Sequence, residues 1–289
     1  MLPKKDIGIV TDEGADLPEI FARENEIEIV PFKMELDGME NFSGNIYQKI
    51  RQAEQKGIKS LIKSSQPSIG DFLSAFKKSL ERFEKIICIT LTSKHSGTFN
   101  SALQARNFLD EKTRGKIFIT DSLSFSCGQG LLVLKALDLA KEGLSVQDIS
   151  EELKKMALKI NIIFVLDEPK WAVSSGRIPG FVAAWLKKAQ EAGIRPILGL
   201  KNGKIKAVGI KKGVKEITLA LFKDFELKVA KNKQTVAAIT HADNPEAAER
   251  LKKMVQTLGK TKVVFINMVG SVLGGYAGPG ALALAWHQN

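Results

Sequence analysis

Residues 86–98 read Ile-Ile-Cys-Ile-Thr-Leu-Thr-Ser-Lys-His-Ser-Gly-Thr and contain the transition around which the predicted fold is organised. The apolar half is typical of a buried β-strand, and a helical pattern follows from about Phe99 to Leu109. A strand that leads through Ser-Gly-Thr into a helix brings backbone N–H groups and hydroxyls to one point, which suits an anion. The alternative interpretation is that Ser96 or Thr98 only caps the helix.

The same order of strand and helix repeats along the N-terminal half. Strands are predicted at residues 7–10, 27–34, 86–91 and 116–120, and helices at 19–25, 47–56, 69–83, 126–142 and 146–158. This alternation predicts an α/β fold, a mostly parallel sheet flanked by helices. Polar clusters follow the strands, so we expect them on one sheet edge: Thr11-Asp12, Ser64-Ser65, Ser93 to Ser96 and Asp121-Ser122.

The C-terminal half has a different pattern. Strands are predicted at residues 161–166, 236–240 and 262–268, and helices at 181–192, 214–230 and 245–258. Asn202-Gly203 between two apolar runs predicts a β-hairpin. The glycine-rich residues 270–280 predict a turned loop, followed by an apolar helix that ends near Trp286. We therefore expect two domains: an α/β domain at 1–160 and a smaller, basic α+β domain at 161–289.

The net charge of +11 comes entirely from residues 161–289, which hold 20 Lys+Arg and 9 Asp+Glu, whereas residues 1–160 hold 23 of each. A solvated lysine face, a dock for an acidic protein and a field that attracts an anionic ligand are all compatible with this asymmetry. Nucleic acid is disfavoured, because the basic residues 187–233 have little aromatic interleaving and no reader motif. The chain has no long apolar run and no apolar signal region, so we expect a cytoplasmic protein without integral membrane association.

Few residues offer reactive or metal-binding chemistry. Cys88 and Cys127 are expected to be reduced and inert, with a disulfide or a reactive thiol as alternatives. No His/Cys/Asp/Glu group has ligand spacing, so neither a metal site nor a cofactor is predicted. The main enzymatic alternative is a serine hydrolase or esterase, which would need His95 or His241 beside Ser96 with an acid behind it.

Several stretches, taken in order, resemble the DegV family of bacterial fatty-acid-binding proteins. The likeness covers nearly the whole chain, and the ordered set is more specific than any one piece. The matching stretches are residues 9–12 with 16–18, Ser64-Ser65-Gln66-Pro67-Ser68, Ser96-Gly97-Thr98-Phe99 with Ser101-Ala102, Asp121-Ser122, Gly176-Arg177-Ile178, Pro196-Ile197-Leu198 and Gly278-Pro279-Gly280.

This resemblance implies a two-domain α/β protein that buries one long-chain fatty acid in a tunnel between its domains. It implies that hydroxyls matching Ser64 and Ser96 hold the carboxylate. We predict a lipid carrier with no catalytic residue of its own. Some family members present the acid to a separate fatty acid kinase for acyl-phosphate formation in phospholipid synthesis, and the arginine matching Arg177 is associated with that step. The predicted ligand-binding residues are Glu13, Ser64, Ser65, Ser96, Gly97, Thr98, Arg177 and Tyr276.

The chain departs from the family pattern at residues that bear on the head-group. Glu13 replaces the usual serine, and like charges would weaken acid binding there unless Glu13 is protonated or turned away. Tyr276 replaces a histidine, so it can donate a hydrogen bond but is no cation at neutral pH. Ser64 replaces a threonine and keeps the hydroxyl. Arg177 could equally be a surface arginine in a turn, and Trp171 and Trp185 could line the tunnel or pack in the core.

Overall fold

The computed structural model describes residues 5–39, 41–58, 61–174, 180–214 and 216–288. The β-strands are β1 (Lys5–Asp12), β2 (Glu28–Val30), β3 (Lys33–Asp37), β4 (Leu61–Ser65), β5 (Phe83–Thr90), β6 (Ile117–Asp121), β7 (Asn161–Val165), β8 (Ile194–Lys201), β9 (Lys204–Lys212), β10 (Thr235–His241), β11 (Thr261–Met268) and β12 (Leu282–Gln288). The α-helices are α1 (Glu19–Glu24), α2 (Ile46–Gln55), α3 (Ile69–Arg82), α4 (Thr98–Asn107), α5 (Glu111–Arg114), α6 (Cys127–Lys141), α7 (Val146–Ala157), α8 (Lys170–Ser174), α9 (Gly180–Glu191), α10 (Ile217–Lys228), α11 (Pro245–Gln256) and α12 (Ser271–Ala277).

The chain forms two compact units, and neither is continuous in sequence. The first contains residues 1–33, 65–160 and 202–204, and the second contains 34–64, 161–201 and 205–289. The chain passes from one unit to the other at several positions, and the expected division at residue 160 is one of them. Residues 34–64 lie in the N-terminal half of the sequence but belong to the second unit, which is therefore the larger of the two.

The first unit is built on a four-stranded parallel sheet in the order β2-β1-β5-β6. The α/β prediction is confirmed, because the parallel sheet carries helices on both faces. On one face, Val10, Ile86 and Cys88 pack with Phe72 and Phe76 from α3. Helices α6 and α7 contact β1, β5 and β6, so apolar strands buried on both sides explain the continuous apolar runs in the sequence.

The second unit contains a six-stranded mixed sheet in the order β11-β10-β12-β7-β8-β9. Strands β10 and β11 pair in parallel, while β10–β12, β12–β7 and β7–β8 are antiparallel. Trp286 lies in its core and meets Phe225 of α10 edge to face, with ring centroids 5.1 Å apart. The predicted hairpin is confirmed: β8 and β9 flank Asn202-Gly203, and both turn residues have positive φ.

Residues 282–288 form a strand, so the prediction of a C-terminal helix was wrong. Leu282, Leu284 and Trp286 face the core that α10 and α11 cover, and the two alanines between them face the opposite side. Both faces are buried, so the large–small alternation was concealed within a uniformly apolar run. Alanine's high helix propensity favoured the wrong structure.

Residues 270–280 were also predicted incorrectly, because a helix, α12, occupies most of the stretch. Its glycines allow close packing: a Cβ at Gly274 would lie 2.0 Å from the Tyr47 hydroxyl, and one at Gly275 would lie 2.3 Å from Ile62. Positive φ angles occur only after the helix, at Gly278 and Gly280. The glycines in α12 therefore allow the helix to pack closely against its neighbours and do not indicate a flexible loop.

The predicted strand at residues 27–34 is divided into β2 and β3, which belong to different sheets. Pro31 lies at the break, where its missing N–H cannot contribute to a ladder. Two predicted helix caps are confirmed: Ser68 forms a capping box with Asp71 at the start of α3, and Ser145 accepts a hydrogen bond from the Asp148 amide at the start of α7.

Candidate functional site

The carboxyl ends of β1, β5 and β6 meet at one edge of the parallel sheet, as predicted. The register sets Thr11 opposite Ile89 and Thr90 opposite Asp121. Asp121 accepts hydrogen bonds from the Ser93 and Leu123 amides at 3.2 and 2.9 Å. This carboxylate therefore fixes the loops that carry the chain past the sheet edge.

Asp12 is fully buried at this edge. Its carboxylate accepts hydrogen bonds from the amides of Leu91 at 2.7 Å and Gly14 at 2.9 Å, and from Gln129 Nε2 at 3.1 Å. Burial raises the pKa of Asp12 to about 6, because desolvation of the charged form outweighs these three donors. Thr11 is bonded to the Ile89 carbonyl, so Thr11 and Asp12 join β1 to its neighbours.

The predicted residues Ser96, Gly97 and Thr98 lie together in the turn that starts α4. The hydroxyls of Ser96 and Thr98 are 2.7 Å apart, and Ser96 Oγ also accepts a hydrogen bond from the Thr98 amide at 3.3 Å. Gly97 is the residue preceding the helix, with φ −79° and ψ 5°. Gly97 is the N-cap and supplies no side-chain cap, but Ser96 Oγ accepts from the first amide of α4, next to the hydroxyl pair at the helix start.

Gln66 contacts this turn, although it is not among the predicted ligand-binding residues. Its side-chain amide lies against Gly97 and donates to Ser101 of α4 at 3.1 Å. The signal in the sequence was the glycine itself. Gly97 has a φ that any residue can adopt, so its presence indicates a close neighbour rather than a special backbone conformation.

Ser64 and Tyr276 form a second pair of hydroxyls, in the second unit. Ser64 Oγ and the Tyr276 hydroxyl are 2.7 Å apart, and Tyr276 is 9% exposed. Ser64 lies at the end of β4 and Tyr276 lies in α12, where the close packing of Gly274 and Gly275 against Tyr47 and Ile62 fixes the helix. Two predicted residues 212 positions apart are therefore in direct contact.

The expectation that Ser64-Ser65 shares the parallel sheet edge was wrong. Strand β4 pairs with β3 in a separate two-stranded sheet, and Ser65 is exposed at its end. Ser64 and Ser96 also belong to different units. The prediction failed because it treated β4 as another strand of the βαβ series, although Pro31 had already diverted the chain from that sheet.

Glu13 is half-buried and directed at the backbone of its own unit. Its Oε2 accepts a hydrogen bond from the Phe32 amide at 3.1 Å. This partner is a neutral hydrogen-bond donor. The predicted role of Arg177 falls on residues 175–179, which lie outside the described part of the chain.

The two cysteines and His241 are buried in the described structure. Cys88 and Cys127 are buried free thiols, and burial raises the pKa of Cys88 well above its usual value. His241 Nδ1 accepts a hydrogen bond from the Asn244 amide at 3.1 Å, and burial lowers the pKa of His241.

Across the described ranges, no group of three His/Cys/Asp/Glu residues could hold a metal ion. None of the helices in those ranges has the length and apolar character to cross a bilayer.

Comparison with known proteins gives consistent matches along the chain. The model of a family described as "Uncharacterised protein, DegV family" matches residues 6–289. A DegV domain-containing protein of Staphylococcus aureus (strain MRSA252) is 27% identical over 284 residues, which cover 96% of each chain. A DegV domain-containing protein of Caldanaerobacter subterraneus is 27% identical over 296 residues, 98% of this chain and 99% of the relative.

Solved structures give the same result. One, described as "Fatty Acid Binding of a DegV family Protein from Thermus thermophilus", aligns with a TM-score of 0.85 and 26% identity, covering 98% of this chain and 100% of the other. Another, described as DegV, a fatty acid binding protein from Bacillus subtilis, aligns with a TM-score of 0.77 and 25% identity, covering 99% and 100%.

Proposed function

The chain belongs to the DegV family, and from that premise we propose that it binds one long-chain fatty acid. The fatty-acid-binding proteins of Thermus thermophilus and Bacillus subtilis support this class of ligand. The observation that carries the proposal for this chain is the Ser96–Thr98 hydroxyl pair at the start of α4.

The chemistry of the pair suits a carboxylate. One hydroxyl donates to the other across 2.7 Å, which uses one of the two protons. We assign the second proton to a ligand oxygen. The start of a ten-residue helix adds the favourable end of its dipole. These groups would stabilise an anion next to an acyl chain without burying a Lys or Arg side chain beside it.

The proposed site also includes the Ser64–Tyr276 pair, with Ser65 beside it and Gly97 within the Ser96 turn. The expected tunnel stays a prediction. The proposal places Glu13 turned away from the ligand, because its carboxylate is directed at the Phe32 amide.

We further propose that the protein is a carrier rather than an enzyme. Within the described residues, the hydrogen bonds of Ser96 Oγ go to the hydroxyl and amide of Thr98, and neither group is a general base. A serine nucleophile would need a histidine or a comparable base in that place. Presentation of the bound acid to a separate fatty acid kinase, with a contribution from Arg177, belongs to the same proposal.

Lipid extraction and native mass spectrometry of the purified protein test the ligand. We expect one long-chain fatty acid per chain. A protein that is empty and also ignores added oleic acid would refute the proposal. The variant Ser64→Ala/Ser96→Ala should bind oleic acid much more weakly, whereas Thr257→Ala, which removes a hydroxyl bonded within α11, should bind normally. Unchanged affinity in the double variant would remove these two hydroxyls from the site.

The role of the protein is tested separately. Ester hydrolysis that disappears in Ser96→Ala would establish the esterase alternative instead. Phosphorylation of the bound acid after addition of a fatty acid kinase and ATP would support the carrier role, and Arg177→Ala should reduce that rate.

A further inference from the structure

The side chain of Gln66 occupies the space that any residue other than glycine at position 97 would fill. A Cβ at Gly97 would lie 2.2 Å from Gln66 Oε1 and 2.5 Å from Nε2. These distances are far below van der Waals contact, so the amide rests directly on the Gly97 α-carbon. The ordinary φ of −79° at Gly97 gives no other reason for a glycine there.

The same amide reaches one turn further into α4. Gln66 Nε2 donates to Ser101 Oγ at 3.1 Å, and Ser101 is 6% exposed. The Gln66 side chain therefore spans the first turn of α4, from Gly97 to Ser101. Its own backbone is restrained as well, because Pro67 follows it and the Ser68 capping box comes next.

We infer that Gln66 is a positioning residue for the hydroxyl pair of Ser96 and Thr98. It fixes the Ser96-Gly97-Thr98 turn from outside, so that the pair is already arranged when a carboxylate arrives. The expected effect on ligand affinity rests on the proposed function, whereas the contact of Gln66 with the turn does not. Donors that are already arranged improve affinity, because the entropic cost of ordering them does not reduce the free energy of binding.

The first readout needs no ligand. Two hydrogen bonds of backbone amides report on the turn: the Thr98 amide donates to Ser96 Oγ at 3.3 Å, and the Ser101 amide donates to the Gly97 carbonyl at 2.9 Å. Hydrogen exchange of a peptide covering residues 96–102 should be at least severalfold faster in Gln66→Ala than in the wild type. Exchange in α7, which these side chains do not touch, should stay unchanged and serves as the control for folding.

The second readout is affinity for oleic acid. Loss of the amide contact and of the Ser101 hydrogen bond should weaken binding about fivefold or more in Gln66→Ala. Ser101→Ala removes only the hydrogen bond and should have a smaller effect. Oleyl alcohol lacks the carboxylate, so its affinity should change less than that of the acid in each variant.

A size exchange gives the decisive test. Gly97→Ala should displace Gln66, accelerate exchange and weaken oleic acid binding, while Gly97→Ala/Gln66→Gly should recover much of both losses because the space for the methyl group is restored. A double variant no better than Gly97→Ala, or normal exchange in Gln66→Ala, would overturn the inference. If the wild type binds no oleic acid, the proposed function fails, while the exchange data still decide whether Gln66 fixes the turn.

Discussion

The buried Asp12 carboxyl will make the protein lose stability as the pH rises from about 4 to 7. Its pKa is about 6 in the folded chain and about 3.9 in an unfolded one. Between these values the folded protein binds more protons than the unfolded chain, so the free energy of unfolding falls with rising pH. The contribution is fully present below about pH 4 and is lost as the pH rises through 6. A difference of about two pH units corresponds to about 3 kcal/mol.

Urea unfolding of the wild type and of Asp12→Asn, repeated from pH 4 to 8, measures this contribution. The asparagine does not titrate, and its NH2 group cannot accept from the Leu91 or Gly14 amide, whereas the hydroxyl oxygen of the protonated Asp12 side chain still can. We therefore expect the variant to be less stable at low pH. The wild-type advantage should decrease by about 3 kcal/mol as the pH rises.

Asp71→Asn is a control of opposite sign. The pKa of Asp71 is lowered, chiefly by the hydrogen bond from the Ser68 hydroxyl, so its contribution is present above the unfolded pKa and is lost as the pH falls below about 4. If the difference between wild type and Asp12→Asn is constant across the pH range, the reasoning about Asp12 is refuted.

Four substitutions test the packing and capping by thermal or urea unfolding. Ser68→Ala should cost about 1 kcal/mol through loss of the α3 cap, and no change would mean that water replaces it. Gly70→Ala should gain up to about 0.5–1 kcal/mol, because only Ser68 Oγ, at 3.7 Å, comes near its new Cβ. Gly274→Ala should instead cost about 1–3 kcal/mol, because its Cβ would collide with Tyr47; a neutral effect would contradict the close approach of α12. Trp286→Ala should cost about 3–5 kcal/mol, and a loss below about 1 kcal/mol would contradict the core position of β12.

The fold could be predicted wherever one stretch of sequence carries its own physical signal. Alternating strands and helices predicted the parallel sheet, Ser68 and Ser145 predicted helix starts, and Asn202-Gly203 predicted the hairpin. The prediction failed at β12, where burial on both faces removes the polar marks that distinguish the strand period from the helix period.

The candidate site was predictable only in part, for a related reason. The Ser96–Thr98 pair is local, and its residues are two positions apart. The contact of Ser64 with Tyr276 depends on the path of the chain between residues 64 and 276, which no local pattern encodes. Gln66 belongs to the Ser64-Ser65-Gln66-Pro67-Ser68 stretch, but its role depends on a distance to Gly97 that only the structure supplies.

The interior position of β12 has a consequence for the order in which the protein is made. Strand β12 lies between β10 and β7 and hydrogen-bonds to both, so the six-stranded sheet stays divided until residues 282–288 have left the ribosome. Residues 34–64 belong to the same unit and are synthesised long before it can close. The second unit can therefore complete its folding only after residues 282–288 have emerged, whereas the four strands of the first sheet are all available once residue 121 has emerged. A nascent chain stopped at residue 281 should retain the first sheet and expose the apolar strands on either side of the missing one.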